Sequence, residues 1–206
     1  MSRGQSHQTF LFVANHPCLD FINTEMVVRG NPVDLLGGCA DLVAWLVQAK
    51  IANNTQAAVV MREWTDKDQD QLFEEGVSFR KTLRTMVERI VAHKPVPDLA
   101  VTSINQLLSR CPGYPQLISV KGRFERQFQA QGRLTDGLLT PLAEAVSDLL
   151  CSGNLSLVKK CGNTPCILYF LDTTKNHTRN WCSMQLCGNR IKVAAHYQRK
   201  RKKPIR

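Results

Sequence analysis

No stretch of the 206-residue chain approaches the roughly 18 consecutive apolar residues of a membrane span, so no membrane partner is expected. The opening residues, Met1 to Gln8, are polar. The apolar run behind them is too short for a secretory leader, and the expected setting is the cytoplasm. Internal repeats are absent, and low complexity is confined to the final basic run. The scarcest feature is negative charge near the C-terminus. Residues 154–206 hold one acid, Asp172, against 12 bases, whereas residues 1–153 hold 15 bases and 16 acids. The whole formal charge of +10 therefore sits in the last quarter. So local an excess implies a polyanionic partner or an electrostatic tail rather than general solubility. The chain is 43% hydrophobic, enough for a genuine core.

Without a leader, the eight cysteines are not expected to form a disulfide framework. Cys18, Cys39, Cys111 and Cys151 are scattered among apolar residues, as small buried hydrophobes would be. The other four form close pairs, Cys161-x4-Cys166 and Cys182-x4-Cys187, inside the basic region. Two such pairs about fifteen residues apart are the layout of a four-cysteine zinc module. Each pair sits on a tight turn, and two turns brought together place four thiolates at tetrahedral corners. Gly162, Pro165 and Gly188 supply the turn chemistry. A segment of this size has too little core to stand alone, and one Zn2+ per chain would stabilise it. An iron–sulfur cluster uses the same four thiolates and is the chemical rival. His177 is a spare nitrogen beside a set that is already closed.

Ahead of the module, the pattern predicts a mainly helical α+β domain over residues 1–153. Thr9 to Val13 reads as a short buried strand, and a turn follows, held by Asp20 and Asn23. Leu42, Trp45, Leu46 and Ala49 share a helical face. Thr65 opens a long helix whose stripe of Leu72, Gly76, Phe79, Leu83, Met86 and Ile90 runs to near His93. Asp98 to Ser109 is a shorter helix with Leu99, Leu107 and Leu108 inward. Residues 117–120 and 124–128 form a hairpin. Thr140, as N-cap, and Pro141 open a helix that closes at Ser152-Gly153. The boundary at 153 coincides with the change in charge. Residues 154–206 are then a hairpin-plus-helix zinc module with its own core.

Asn189 to Arg199 has helical character directly after Cys187. Lys192, His196, Arg199 and Lys203 fall on one face, with Ile191, Ala194 and Ala195 opposite. A metal-anchored helix with a basic face suits phosphates and groove edges. The basic run Arg199, Lys200, Arg201, Lys202 and Lys203 extends it. Arg190, at the helix start, either reads a base or braces the first knuckle.

Cys187-Gly188-Asn189-Arg190, preceded by Trp181-Cys182 and by Cys161-x4-Cys166, resembles the CGNR zinc fingers of bacterial proteins. Leu19-Asp20-Phe21-Ile22-Asn23-Thr24 resembles the LDF-x-NT signature of the ABATE domain, which usually precedes that finger. The resemblance spans nearly the whole chain. It implies a stress-linked transcription regulator whose finger binds zinc through Cys161, Cys166, Cys182 and Cys187 and contacts DNA. It also implies an N-terminal domain that senses a small-molecule effector, with Asp20, Asn23 and Thr24 as polar contacts. The family shows two basic residues before the tryptophan. Here Arg179 is one, a further nucleic-acid contact, and Asn180 stands in place of the other.

A zinc-dependent regulator binding double-stranded DNA is therefore the leading expectation, with a homodimer open. RNA binding is the alternative, with Trp181, Tyr197, Tyr169 and Phe170 as the rings available for stacking. Catalysis is not expected. His16, Cys18 and Asp20 would share one side of an extended segment, but Pro17 and the lack of a glycine-rich element make a poor nucleophilic site.

Overall fold

A computed structural model of the protein describes residues 9–110, 113–120, 122–131, 137–193 and 197. Six α-helices and three antiparallel strand pairs make an α+β architecture among these residues. The first helix, α1 (Pro17–Ile22), occupies the stretch predicted as a turn. His16 caps it, its Nδ1 accepting from the Cys18 N–H at 3.3 Å, and Pro17 takes the first position, where no amide hydrogen is needed. Cys18, Leu19, Asp20, Phe21 and Ile22 are all buried, so the short helix lies in the middle of the core. Residues 9–13, predicted as a strand, pair with no ladder, although Phe10 is buried.

Strands β1 (Glu25–Val28) and β2 (Asn31–Asp34) form a tight hairpin in a stretch that reads as a polar loop. Helix α2 (Cys39–Gln48) buries Leu42, Trp45 and Leu46, and Trp45 packs on Phe21 with ring centroids 4.8 Å apart. Helix α3 (Asn54–Glu63) starts on a capping box between Asn53 and Gln56. The long helix α4 (Asp66–Val91) starts on another, between Thr65 and Asp68, and buries the predicted stripe. Gly76 lets α2 approach closely, since a Cβ there would stand 2.7 Å from Leu42.

Helix α5 (Asp98–Leu108) buries Ala100, Ile104 and Leu107, whereas Leu99, predicted inward, is exposed. Hairpin β3 (Gly113–Val120) and β4 (Arg123–Ala130) matches the predicted one. Helix α6 (Thr140–Ser152) begins one residue earlier than predicted. Thr140 does not cap it; its hydroxyl donates to the Leu107 carbonyl at 2.9 Å and ties α6 to the end of α5.

Strands β5 (Val158–Lys160) and β6 (Tyr169–Leu171) pair antiparallel and flank the first cysteine pair, Cys161 and Cys166. β6 packs on α1, and β5 on α4. Val158, Leu168, Tyr169 and Phe170 join Leu19, Phe21, Leu83 and Met86 in one continuous cluster of buried side chains. The expectation of two separate cores is corrected here: hydrogen bonds and apolar contacts run straight across the position of the charge change. No helix among the described residues is long and apolar enough to cross a membrane.

Candidate metal centre and basic helix

The first knuckle follows β5. The Cys161 N–H donates to Leu168 O at 2.9 Å, and Cys166 closes the turn by donating to Asn163 O at 2.7 Å. Gly162 sits against the returning chain, where a Cβ would meet the Asn180 carbonyl at 3.0 Å. The second knuckle is a five-residue π-turn, Met184–Gly188, capped by Ser183, whose hydroxyl accepts from Gln185 N and Leu186 N. Gly188 sits in a crowded place, where a Cβ would stand 2.6 Å from Met184 Sδ and 3.3 Å from the Trp181 ring.

The two knuckles bring the sulfurs of Cys161, Cys166, Cys182 and Cys187 within 4.8 Å of one another. Cys182 Sγ lies 3.7 Å from Cys187 Sγ and 3.9 Å from Cys166 Sγ. A tetrahedral Zn2+ with Zn–S bonds near 2.3 Å sets its sulfurs about 3.8 Å apart, so the donor set fits one Zn2+ ion. An iron–sulfur cluster would push the cysteine sulfurs apart by its own iron–iron spacing and fits less well. Two amides point at the sulfurs, Cys182 N–H at Cys161 Sγ (3.4 Å) and Asn163 Nδ2 at Cys187 Sγ (3.3 Å), and such bonds stabilise thiolates. Four sulfurs this close cannot all ionise without a cation between them. The bond from Cys182 draws Cys166 down to about 5, while the same bond and burial push Cys182 far above the usual thiol range. His177 stands apart, exposed, in the loop after β6 with its Nδ1 3.2 Å from the Asp172 carbonyl.

Arg179, expected to contact nucleic acid, is half-buried and turned into the chain. Its guanidinium donates to Trp181 O (3.0 Å), Val13 O (2.6 Å) and Cys182 O, and it lies 4.2 Å over the Phe170 ring. One side chain thus joins the second knuckle to the N-terminal segment. Nearby, fully buried Asp172 accepts from Lys159 Nζ (2.7 Å), Thr174 Oγ1 (2.6 Å) and the Arg179 N–H (3.0 Å). Burial acts to raise this carboxyl, but those donors outweigh it and hold it below the usual range.

The residues predicted to contact an effector are also placed otherwise. Asn23 donates to Tyr169 O (2.8 Å) and accepts from Tyr169 N (2.9 Å), serving β6 as a strand edge would. Asp20 Oδ1 accepts from the Val13 and Ala14 amides, both at 2.9 Å, as the sequence suggested for the turn. Burial raises its carboxyl to about 6 against those two bonds and the Arg179 charge. Thr24 Oγ1 donates to Phe21 O and accepts from Arg80. All three are buried, and each makes hydrogen bonds within the chain. A cleft of about 400 Å3 opens elsewhere, lined among others by Trp64, Gln71, Glu75, Arg110 and Thr140. Cys18 is fully buried, and burial pushes its thiol up to about 12, which suits a packed hydrophobe and not a nucleophile.

Sequence reasoning also missed Arg80. Almost wholly buried on α4, it forks onto Asp34 at 2.7 and 2.6 Å and onto Thr24 at 2.7 Å. An arginine inside a helical stripe facing a distant aspartate leaves no local sequence signal.

Beyond Cys187 the chain is helical at residues 189–193 and 197. Arg190 and Lys192 are exposed and make no hydrogen bond or ion pair among the described residues, while Ile191 is half-buried. Tyr197 is exposed. His196, Arg199, Lys200, Arg201, Lys202 and Lys203, the rest of the predicted nucleic-acid face, lie outside the described residues, as do Ala194 and Ala195 of the opposite face.

Comparison with protein families matches residues 15–153 to ABATE, described as "Putative stress-induced transcription regulator", and residues 158–200 to the CGNR zinc finger. Both are regulator or zinc-finger families, and neither is an enzyme family. No curated protein matches the chain. With the ABATE match covering well over half of its length and the four cysteines gathered in the CGNR segment, the chain belongs to the ABATE family and carries a CGNR zinc finger at its C-terminal end.

Proposed function

We propose that the protein is a DNA-binding transcription regulator, gripping duplex DNA with the basic helix and tail that leave the zinc site at Cys187. The observation that carries this reading is the placement of charge. The excess is confined to residues 154–206, and Arg190 and Lys192 stand exposed and unpaired where the second knuckle fixes the start of the helix. Exposed bases on a rigid mount attract phosphates and release counterions. In this reading Arg190 and Lys192 act from the helix, and His196 with Arg199 to Lys203 extend the contact along the backbone.

Binding to single-stranded RNA draws less support. Of the four rings available for stacking, Tyr169 and Phe170 are buried, and Arg179 covers Phe170. The N-terminal domain acts as the regulatory part. Its signal reaches the finger through the bonds that Asn15, Asn23 and Val13 make to Leu171, Tyr169 and Arg179.

The test is a competition titration of the zinc-loaded full chain between labelled duplex DNA and single-stranded RNA of equal length, repeated across a salt series. Preference for the duplex is expected, with a log–log salt slope of roughly −0.9 per phosphate contacted. Preference for the RNA strand would overturn the assignment.

A further inference from the structure

The hairpin β1–β2 belongs to the ABATE segment, yet its tip lies against the zinc knuckles. Met26, Val28, Arg29, Cys166, Leu186 and Arg190 line one cleft of about 200 Å3 between them. Two features of this hairpin set its charge. At its base the cross-strand pair Glu25 and Asp34 is clasped by α4: Arg80 reaches Glu25 at 3.3 Å and Asp34 at 2.6 Å, and Arg84 reaches Glu25 at 2.9 Å. Both acids of the hairpin are thus neutralised by arginines of the body. At its tip Arg29 is exposed and has no hydrogen-bond or ion-pair partner among the described residues.

The tip also has a defined turn geometry. Arg29 and Gly30 have φ of 52° and 87°, the positive pair of a two-residue type I′ turn, whose twist matches its strands. Asparagine, aspartate or glycine is favoured at the first of these positions, and a long side chain there is uncommon. The backbone therefore holds an unpaired guanidinium in a place that folding alone would fill with asparagine.

We infer that the β1–β2 hairpin is a second DNA-contacting element, with Arg29 binding a phosphate beside the stretch met by Arg190 and Lys192. The inference rests on the duplex-DNA reading above. Arg29 and Arg190 flank one small cleft, and each strand of duplex DNA carries a negative charge for about every 3.4 Å of helix axis, so one backbone can meet both guanidinium groups. The occupant is set by charge: the tip, the helix start and the tail are all positive, and the acids nearest the tip are already paired. The regulatory domain then touches DNA directly, and the interface spans both halves of the chain.

The test uses the full zinc-loaded chain and one duplex, with Arg29→Asn, Arg29→Lys and Lys192→Gln. Asparagine suits the turn, so Arg29→Asn removes the charge and keeps the fold, as unchanged zinc content and melting temperature will verify. Losing one phosphate contact should weaken binding about eight-fold near 0.1 M salt and flatten the salt slope by about 0.9. Arg29→Lys should keep the slope. The inference is overturned if Arg29→Asn binds like the wild type while Lys192→Gln weakens, or if Asn and Lys at position 29 weaken binding equally. Failure of the wild type to bind any duplex would overturn the DNA reading itself, and this inference with it.

Discussion

Arg179 enters the zinc module from the strand side, and Arg190 leaves it on the helix side. Both lie in the basic quarter, and by composition they are equivalent. Arg179 is drawn inward over Phe170 and holds three backbone carbonyls, one of them from Val13 in the N-terminal segment. Arg190 is exposed and unpaired. The difference lies in what the backbone leaves unsatisfied nearby. The turn from Arg179 to Cys182 has carbonyls with no strand partner, and one planar fork can satisfy several of them. Ser183 and the π-turn already satisfy the second knuckle, so the arginine that follows is released to solvent. The finger therefore has an inner side welded to the ABATE segment and an outer side exposed to solvent.

The largest effect should come from the metal, which supports both sides. Cys182 is fully buried and its sulfur is central to the set. Structural zinc contributes roughly 10–16 kcal/mol in isolated finger peptides at neutral pH. Cys182→Ser should abolish zinc binding, checked by metal analysis. Because β6 shares its core with α1, the loss should extend into the N-terminal domain. Thermal unfolding followed by helical circular dichroism should then shift as a whole. A helical transition unmoved by zinc loss would mean that the two sides fold independently.

Next in size is Arg179→Ala. The side chain makes charge-assisted bonds worth roughly 1.5–3 kcal/mol each and not additive, so a loss of about 3 kcal/mol in unfolding free energy is expected from denaturant titration. Arg179→Lys should recover only part of it, since an ammonium spans fewer of these carbonyls. A mutant with weak DNA binding but wild-type stability would put Arg179 back on the outer side.

Much of this was legible beforehand, for reasons that differ by element. Helix α4 announced itself through a repeated stripe and the Thr65 cap, and the hairpin β3–β4 through alternation. The zinc site was legible because four thiolates at that spacing have few other uses. The inner side was not. Asn23 and Tyr169 are 146 positions apart, and a side chain bonding a distant backbone leaves no periodic trace. Asp20 and Asn23 are expected from the pattern to hold a local turn, with effector contact implied by the resemblance alone; Asp20 does bond the nearby Val13 and Ala14 amides, whereas Asn23 bonds the distant Tyr169. Helix α1 is too short to show a period, and a hairpin turning on Arg29-Gly30, with Pro32 in its second strand, lacks the usual turn signature. Charge counting located the basic surface but could not separate an arginine that braces from one that binds.

Asp172 gives a smaller effect and a pH signature of the inner side. Its carboxyl lies below the usual range in the folded protein, so its contribution is present above the unfolded value of about 3.9 and is lost as pH falls through the folded value. Asp172→Asn loses the ion pair with Lys159 and, with one oxygen left, keeps an acceptor for the Thr174 hydroxyl and amide but not for the Arg179 N–H. The variant should be less stable than the wild type at neutral pH and converge on it in acid. Zinc release at low pH is common to both proteins, so the difference between their profiles isolates the carboxylate. Parallel profiles down to acid would show that the buried ion pair contributes nothing.

The smallest effect on stability should be that of Arg190→Ala. An exposed side chain without a partner contributes within about 0.5 kcal/mol, so zinc content and the denaturant midpoint should stay at wild-type values. Affinity should not. At the first turn of a helix entering the major groove, a guanidinium can meet guanine O6 and N7 together, and its loss costs about 1–3 kcal/mol and relaxes preference at that base. If Arg190 meets only a phosphate, binding weakens alike for all sequences and the salt slope flattens by about one unit. Measuring Arg190→Ala on a selected duplex and on a scrambled one separates the two outcomes. A fall in zinc content would place Arg190 with Arg179 as a brace, and the division between an inner and an outer arginine would fail.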